Sequence, residues 1–142
     1  MLNGIRIIEI EGLGPTPFAG MLFSDLGAEV TVIHRKDKSD FSNHKNILDR
    51  GKRSIELNLK DPDDLVVAKK LIIRSDAVIE GFRPGVMEKL GLGPNEFSEN
   101  PSLVFGRMTG WGQDGPKSKQ AGHDLNYIGL SGALWFASHP NT

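Results

Sequence analysis

Short runs rich in β-branched residues alternate with segments of helical periodicity along this chain. The first two runs cover residues 5–10 and 29–34, and the segment between them has the apolar spacing of a helix. Thr16 is the expected N-cap of that helix, Pro17 its first residue and Gly27 the residue just after its end. The pattern therefore predicts a βαβ unit.

The alternation continues along the chain. Further strands are predicted at residues 54–59, 76–80 and 102–107, and further helices at residues 61–74, 86–90 and 123–136. Acidic residues open the helix that begins at Asp61 and basic residues close it, as the helix dipole favours. Such alternation specifies an α/β, Rossmann-like fold with a mainly parallel sheet and helices on both faces. Ligands of this fold bind beyond the carboxyl ends of the strands.

Composition narrows the class of protein. The chain has 142 residues, a formal net charge of -1 and no cysteine. This length fits one compact domain, and the balanced charge argues against a general nucleic-acid binder. The lack of cysteine excludes disulfides, thiolate metal sites and cysteine nucleophiles. No segment approaches the ~20 apolar residues of a membrane span and no signal peptide opens the chain, so we expect a cytoplasmic protein without a membrane partner.

Two glycine motifs lie where nucleotide-binding loops occur, yet neither has the required spacing. Gly12 and Gly14 follow the first predicted strand, but Pro17 stands where a dinucleotide fingerprint needs its third glycine. Gly51-Lys52 lacks the first glycine of a phosphate-binding P-loop. The sequence therefore does not predict a nicotinamide, flavin or nucleoside triphosphate site.

Basic residues gather around three of the predicted strands, near carboxyl ends or in adjoining loops. They are Arg35, Arg50, Lys52, Arg53, Arg83 and Lys89. Each of them alone is typical of a solvated surface charge. Convergence of the group at one edge of the sheet would instead suit a small polyphosphate such as coenzyme A, which carries a pyrophosphate and a 3′-phosphate.

One histidine has the position expected of an acid/base group. His123 stands at the predicted start of the last helix, and the adjacent Asp124 fits a helix-opening acid. The positive end of a helix favours a neutral imidazole that can accept a proton near pH 7, although a packing or helix-terminal role fits equally well. His34, His44 and His139 have no metal-ligand spacing, so no metal site is predicted.

Four blocks of the sequence resemble the alpha-methylacyl-CoA racemases, which belong with the family III CoA-transferases of the CaiB/BaiF superfamily. The blocks lie at residues 12–28, 82–94 (FRPGVMEKLGLGP), 109–113 (TGWGQ) and 121–127 (AGHDLNY). The resemblance covers essentially the whole chain. It implies that residues 1–142 form the amino-terminal part of a coenzyme A-binding, Rossmann-like large domain, which is incomplete here, and that the second domain is absent.

The resemblance also implies a reaction and a set of site residues. Racemases of this type remove the proton next to a thioester carbonyl and return one to the opposite face, through an enolate. His123 matches a catalytic acid/base, whereas the second acid/base and the carboxylate that orients the histidine would lie beyond Thr142. The positions that match the lining of the acyl-CoA site are Arg35, Leu57, Arg83, Val86, Lys89, Asp124 and Tyr127.

Three further expectations come with the resemblance. The substrate is a small-molecule acyl-CoA with a 2-methyl-branched acyl group, and no cofactor is needed beyond the coenzyme A of the substrate itself. The protein is a homodimer, interlocked in the full-length family. Lys89 departs from the arginine common at its position, which keeps the positive charge but loses the bidentate geometry of a guanidinium group.

Two other functions stay open beside racemisation. The chain could belong to a family III CoA-transferase, which works through a covalent aspartyl intermediate, or be a truncated, non-catalytic module that binds coenzyme A. Two positions favour the racemase. His34-Arg35 ends the second predicted strand where transferases typically have a glutamate, and His123 stands where they usually have an aromatic residue.

Overall fold

The computed structural model describes residues 1–36 and 47–137. Its strands are β1 (Arg6–Ile10), β2 (Glu29–Arg35), β3 (Arg53–Leu57), β4 (Ala77–Glu80) and β5 (Val104–Arg107). Its α-helices are α1 (Pro15–Asp25), α2 (Pro62–Ile73), α3 (Val86–Lys89) and α4 (Asp124–Ser131). Short 3-10 turns cover Ile47–Asp49, Pro94–Phe97 and Ala133–Ala137. Each predicted strand and helix is present, with ends that shift by a few residues.

The five strands form one parallel sheet in the order β3-β2-β1-β4-β5. The chain builds outward from β1 through β2 to β3, then returns to place β4 and β5 on the other side of β1. The strand order therefore reverses between β1 and β4. Open α/β sheets bind their ligands beside such a reversal, beyond the carboxyl ends of the strands.

Side chains of β1 enter two separate cores, one on each face of the sheet. Ile8 and Ile10 pack with buried residues of α2 and of the α3 region. Ile7 packs on the opposite face, in a cluster that Phe23 of α1 also contacts. Because both faces are covered, the inner strands are mostly apolar on both sides, with Glu9 of β1 and Glu80 of β4 as buried charged exceptions. The predicted α/β class, with a parallel sheet and helices on both faces, is confirmed.

The first helix begins two residues earlier than the sequence predicts. Gly14, at a φ of 76°, is the N-cap and Pro15 is the first helical residue, whereas Thr16 lies inside the helix and is fully buried. The prediction of Thr16 as N-cap is wrong because glycine reaches this backbone conformation without strain, and the threonine packs inward. The predicted end is confirmed: Gly27 has a φ of 98° and its N–H donates to the Ser24 carbonyl.

The last helix is shorter than predicted. Gly132 adopts a left-handed φ of 81° and ends α4 at Ser131, and a 3-10 turn follows it. A continuous helix to residue 136 is therefore wrong. The chain divides into two compact units, Met1–Met108 and a second that begins at Thr109, and each is considered by itself below. Among the described residues, no helix is long and apolar enough to cross a membrane.

Candidate functional site

The carboxyl ends of β1 and β4 meet where the strand order reverses, and α1 begins beside them. The first N–H groups of a helix have no intrahelical acceptor. Because Pro15 and Pro17 have no N–H, the amide of Thr16 is the one such donor among residues 15–17 at the start of α1. The Thr16 hydroxyl has no hydrogen-bond partner among residues 1–36 and 47–137. A Cβ at Gly81, just after β4, would come within 2.6 Å of that hydroxyl oxygen. A glycine at this position therefore lets the end of β4 approach the start of α1.

The ends of β2 and β3 lie side by side, with Arg35 paired to Leu57 in the register. Arg35 is exposed, and its backbone N–H donates to Glu11 Oε2 over 2.9 Å. The other oxygen of Glu11 lies 3.6 Å from His34 Nδ1. Leu57 is only 5% exposed and belongs to the hydrophobic core. At this edge Arg35 is thus exposed, whereas Leu57 is buried in the protein interior, and contact of either residue with coenzyme A stays a prediction.

A short segment after β4 carries three of the predicted site residues. Arg83 and Lys89 are exposed, and Val86 is half-buried. The Val86 N–H donates to the Arg83 carbonyl over 3.1 Å, and the Lys89 N–H donates to the carbonyl of Gly85, which has a φ of 84°. The turn at Gly85 therefore folds the segment so that two cations stand on one short loop and helix.

Two carboxylates and one guanidinium support this segment. Glu80 is 3% exposed, and its Oε2 accepts a hydrogen bond from the Phe82 N–H over 2.6 Å. Arg107 Nε lies 3.7 Å from Glu80 Oε1, and Arg107 Nη2 lies 2.5 Å from Glu88 Oε1. Burial raises the pKa of Glu80. The hydrogen bond from Arg107 lowers the pKa of Glu88, which therefore carries a negative charge at neutral pH.

A buried ion pair fastens α1 to the sheet. Lys52 Nζ lies 2.7 Å from Glu9 Oε2 and 3.0 Å from the Pro17 carbonyl oxygen, and the two side chains are 1% and 2% exposed. Burial raises the pKa of Glu9, and the hydrogen bond from Lys52 opposes that change. A Cβ at Gly20 would overlap Glu9 Oε2, so the close approach of α1 requires glycine there.

The basic residues around β3 do not join those after β2 and β4. Lys52 is buried against Glu9, and Arg50 is paired with Asp25 of α1. Arg53 begins β3, at the amino-terminal edge of the sheet, where its Nη1 lies 3.7 Å from Glu29 Oε2. Convergence of all six cations at one edge of the sheet, which would have suited a polyphosphate, is therefore not found. The three that follow carboxyl ends of strands are Arg35, Arg83 and Lys89.

In the second unit, His123 is the N-cap of α4 and its side chain is exposed. The His123 N–H donates to Asn126 Oδ1 over 2.8 Å, and the Asn126 N–H donates back to the His123 carbonyl over 2.9 Å. Asp124 is the first helical residue, as the sequence predicts. Asn126 thus fixes the backbone of His123 at the positive end of the helix, a role that the sequence analysis did not assign.

Tyr127 holds the preceding glycine-rich loop against α4. Its ring meets Trp111 edge-on, with 4.9 Å between the ring centroids. A Cβ at Gly110 or Gly122 would overlap the Tyr127 ring, so both glycines permit this packing. The same loop places Ala121 so that its carbonyl oxygen lies 3.4 Å from Trp111 Nε1. Tyr127 therefore has a clear local packing role, and contact with a thioester stays a prediction.

The predicted site residues are divided between the two units, and within each unit they are described by themselves. The first unit places Arg35 and Leu57 at adjacent strand ends and Arg83, Val86 and Lys89 on one segment, and the second places His123, Asp124 and Tyr127 around the start of α4. Their assignment to an acyl-CoA site stays a prediction. Glu11 and Arg107 were not predicted from the sequence, although Glu11 directly follows β1 and Arg107 ends β5. His44 and His139 lie outside the described residues.

Comparisons with known proteins agree with this architecture. A family model described as CoA-transferase family III matches residues 2–142. The alpha-methylacyl-CoA racemase of Mus musculus is 47% identical over 135 residues, which cover 94% of this chain and 34% of that protein. The succinyl-CoA:glutarate CoA-transferase of Mus musculus is 33% identical over 146 residues, with the same two coverages.

A solved structure also matches the fold. The crystal structure of the hypothetical protein Rv3272 from Mycobacterium tuberculosis has a TM-score of 0.85 and 32% sequence identity, over 99% of this chain and 42% of that chain. The chain spans about a third of the length of the curated relatives named above. Because the family model matches nearly every residue, this chain belongs to CoA-transferase family III.

Proposed function

We propose that this chain supplies the coenzyme A-binding part, and one acid/base group, of a racemase that acts on 2-methylacyl-CoA thioesters. The observation that carries the proposal is the 47% identity to a protein named alpha-methylacyl-CoA racemase, against 33% to a named CoA-transferase over the same share of the chain. The exposed histidine at the start of α4 supplies the chemical group that proton transfer requires.

The cations beyond the carboxyl ends of β2 and β4 are assigned to the phosphates of coenzyme A. Arg35, Arg83 and Lys89 are exposed, and none of their side chains forms an ion pair with a described residue. Side chains that are not already neutralised are suited to charge-assisted hydrogen bonds with phosphate oxygens. The reaction needs no other cofactor, because the thioester itself acidifies the neighbouring C–H bond.

His123 is assigned the proton transfer at one face of the substrate. Its imidazole takes the proton from the carbon next to the thioester carbonyl, and the electron pair of the broken C–H bond moves onto the carbonyl oxygen to form an enolate. The amides of Asp124 and Leu125, in the first turn of α4, lack intrahelical acceptors and can stabilise that oxygen. A second acid on the opposite face, outside this chain, then returns a proton to carbon.

The racemase is distinguished from the two other candidates by one set of assays on a full-length homologous protein. An enantiomerically pure 2-methylacyl-CoA in D₂O should lose its optical purity and gain deuterium at the 2-position. Transfer of coenzyme A from the thioester to a free carboxylic acid, with release of the original acyl group as its acid and without deuterium uptake, would identify a CoA-transferase instead. Binding of the thioester with neither reaction would identify a non-catalytic module.

Replacing Arg83 with alanine is expected to weaken coenzyme A binding by about 1.5–3 kcal/mol, roughly 10- to 150-fold, because it removes a charged hydrogen-bond donor from a phosphate. Calorimetric titration of the folded chain with acetyl-CoA measures the loss. Arg74→Ala is the matched control, since Arg74 is also exposed but caps the carboxyl end of α2, before β4 begins. Equal affinity of Arg83→Ala and the unaltered chain would place the phosphate site elsewhere.

A further inference from the structure

We propose that Arg107 is a positioning residue for the coenzyme A site, because it holds the segment of residues 82–89 in place through Glu80 and Glu88. The inference rests on the proposed function, since that segment carries Arg83 and Lys89. Arg107 itself does not contact the ligand in this proposal. It acts through the two carboxylates that border the segment.

The geometry around Arg107 is that of a bridge between two elements. Arg107 ends β5 and is paired with Glu80, the last residue of β4, in the strand register. Its Nε lies 3.7 Å from Glu80 Oε1, and its Nη2 lies 2.5 Å from Glu88 Oε1 in α3. The side chain is 18% exposed, and its guanidinium carbon lies 5.3 Å from the centroid of the Phe105 ring. A planar guanidinium with a fixed fork of donors can donate a hydrogen bond to Glu88 while its charge faces Glu80 at the longer distance of an ion pair.

The segment between the two carboxylates depends on such outside support. Helix α3 has four residues, which is too short to persist by helix propensity alone. Gly85 and Gly91, with φ of 84° and 68°, flank the helix at its amino and carboxyl ends. Met87 is 1% exposed and anchors one face of the helix in the core. Glu88 follows Met87 directly, and its contact with Arg107 supplies a second anchor. The two anchors together limit rotation of the short helix.

The same arginine also reaches the start of the segment. Glu80 accepts a hydrogen bond from the Phe82 N–H over 2.6 Å while its other oxygen faces Arg107. One guanidinium therefore connects the residues on either side of Arg83. It also donates a hydrogen bond to Glu88, the residue that directly precedes Lys89 in the chain.

Glu88→Gln tests the proposal because positioning and simple electrostatics predict opposite results. Removing a negative charge near an anion-binding site should, by Coulomb attraction alone, tighten coenzyme A binding. If Glu88 positions the segment through Arg107, the variant should bind coenzyme A roughly 10-fold more weakly, since small displacements of contacting groups have large effects. Glu99→Gln, at another exposed acid, is the matched control for the loss of one charge.

Arg107→Lys keeps the charge but removes the fork, and it should weaken coenzyme A binding to a similar degree. The double variant Arg107→Lys/Glu88→Gln should lose no more affinity than Arg107→Lys alone, because both changes break one connection. Affinity is measured by calorimetry on the folded chain. Amide hydrogen exchange of residues 86–92 is measured in parallel without ligand. Glu88→Gln and Arg107→Lys should each exchange faster there than the unaltered chain.

The two measurements separate the inference from the proposed function. If the unaltered chain binds coenzyme A and Glu88→Gln binds it equally or more tightly, the positioning role is overturned. If the unaltered chain binds no coenzyme A thioester, the proposed function fails. Exchange then decides only whether Arg107 and Glu88 hold the segment: faster exchange at residues 86–92 in Glu88→Gln and in Arg107→Lys supports this structural contact, and unchanged exchange overturns it.

Discussion

Replacing His123 with alanine in a full-length homologous racemase is expected to abolish racemisation in both directions. Each direction uses one group as the base and the other as the acid, so loss of either group stops both. Proton exchange should be more selective. Deuterium uptake at the face served by His123 should fall by ~10²-fold or more, while uptake at the face served by the opposing acid should persist. NMR of each enantiomer in D₂O measures the two rates.

Asn126→Ala is a useful companion to His123→Ala, because it removes the acceptor of the His123 N–H and leaves the imidazole in place. It should lower the rate at the His123 face by less than the loss of the imidazole does. Residues 1–142 alone should not racemise the substrate, since the proposal places the opposing acid outside this chain. Robust racemisation by this chain alone would show that both acid/base groups lie within it.

Replacing Lys52 with methionine is expected to destabilise the fold by about 3–5 kcal/mol, because it leaves the Glu9 carboxylate buried without its partner. Both side chains are almost fully buried, so solvent cannot take over the lost interaction. This loss would be a large fraction of the total stability of a small domain. Urea denaturation of the variant and of the unaltered chain, followed by circular dichroism, measures the difference in the free energy of unfolding.

The effect of Lys52→Met should depend on pH in a direction set by Glu9. Burial raises the pKa of Glu9 in the folded state, so the folded variant binds a proton more readily than its unfolded chain does. The stability of the variant should then rise as pH falls toward the ordinary pKa of a glutamate, and decline as pH rises through the raised value. The loss relative to the unaltered chain should thus be larger at pH 8 than at pH 5.5.

The double variant Glu9→Gln/Lys52→Met provides the control. It removes both charges, and a buried pair replaced by neutral groups is far less destabilising than a buried charge without its partner. It should therefore recover much of the stability that Lys52→Met loses and show little of the pH dependence. A double variant as unstable as Lys52→Met at pH 8 would contradict the electrostatic account and point to packing around Gly20 instead.

The sequence by itself determined the order of the secondary structure elements and the fold class. Runs rich in β-branched residues marked β1 and β2, and Asp61 and Gly27 marked a helix start and a helix end, because these signals depend on neighbouring residues alone. The candidates after carboxyl ends of strands, Arg35 and Arg83, also followed from the sequence. In a parallel sheet the order of the elements is enough to say which loops lie at which edge.

Only the tertiary structure decided which charged residues contact one another. Lys52 resembled a member of a basic surface cluster, yet it is buried against Glu9, which lies 43 residues away in the chain. Arg107 likewise joins Glu88, 19 residues before it. Such contacts depend on strand order, on register and on how closely a helix approaches the sheet. Each of these is set by packing between distant segments, so residue type and local spacing could not reveal them.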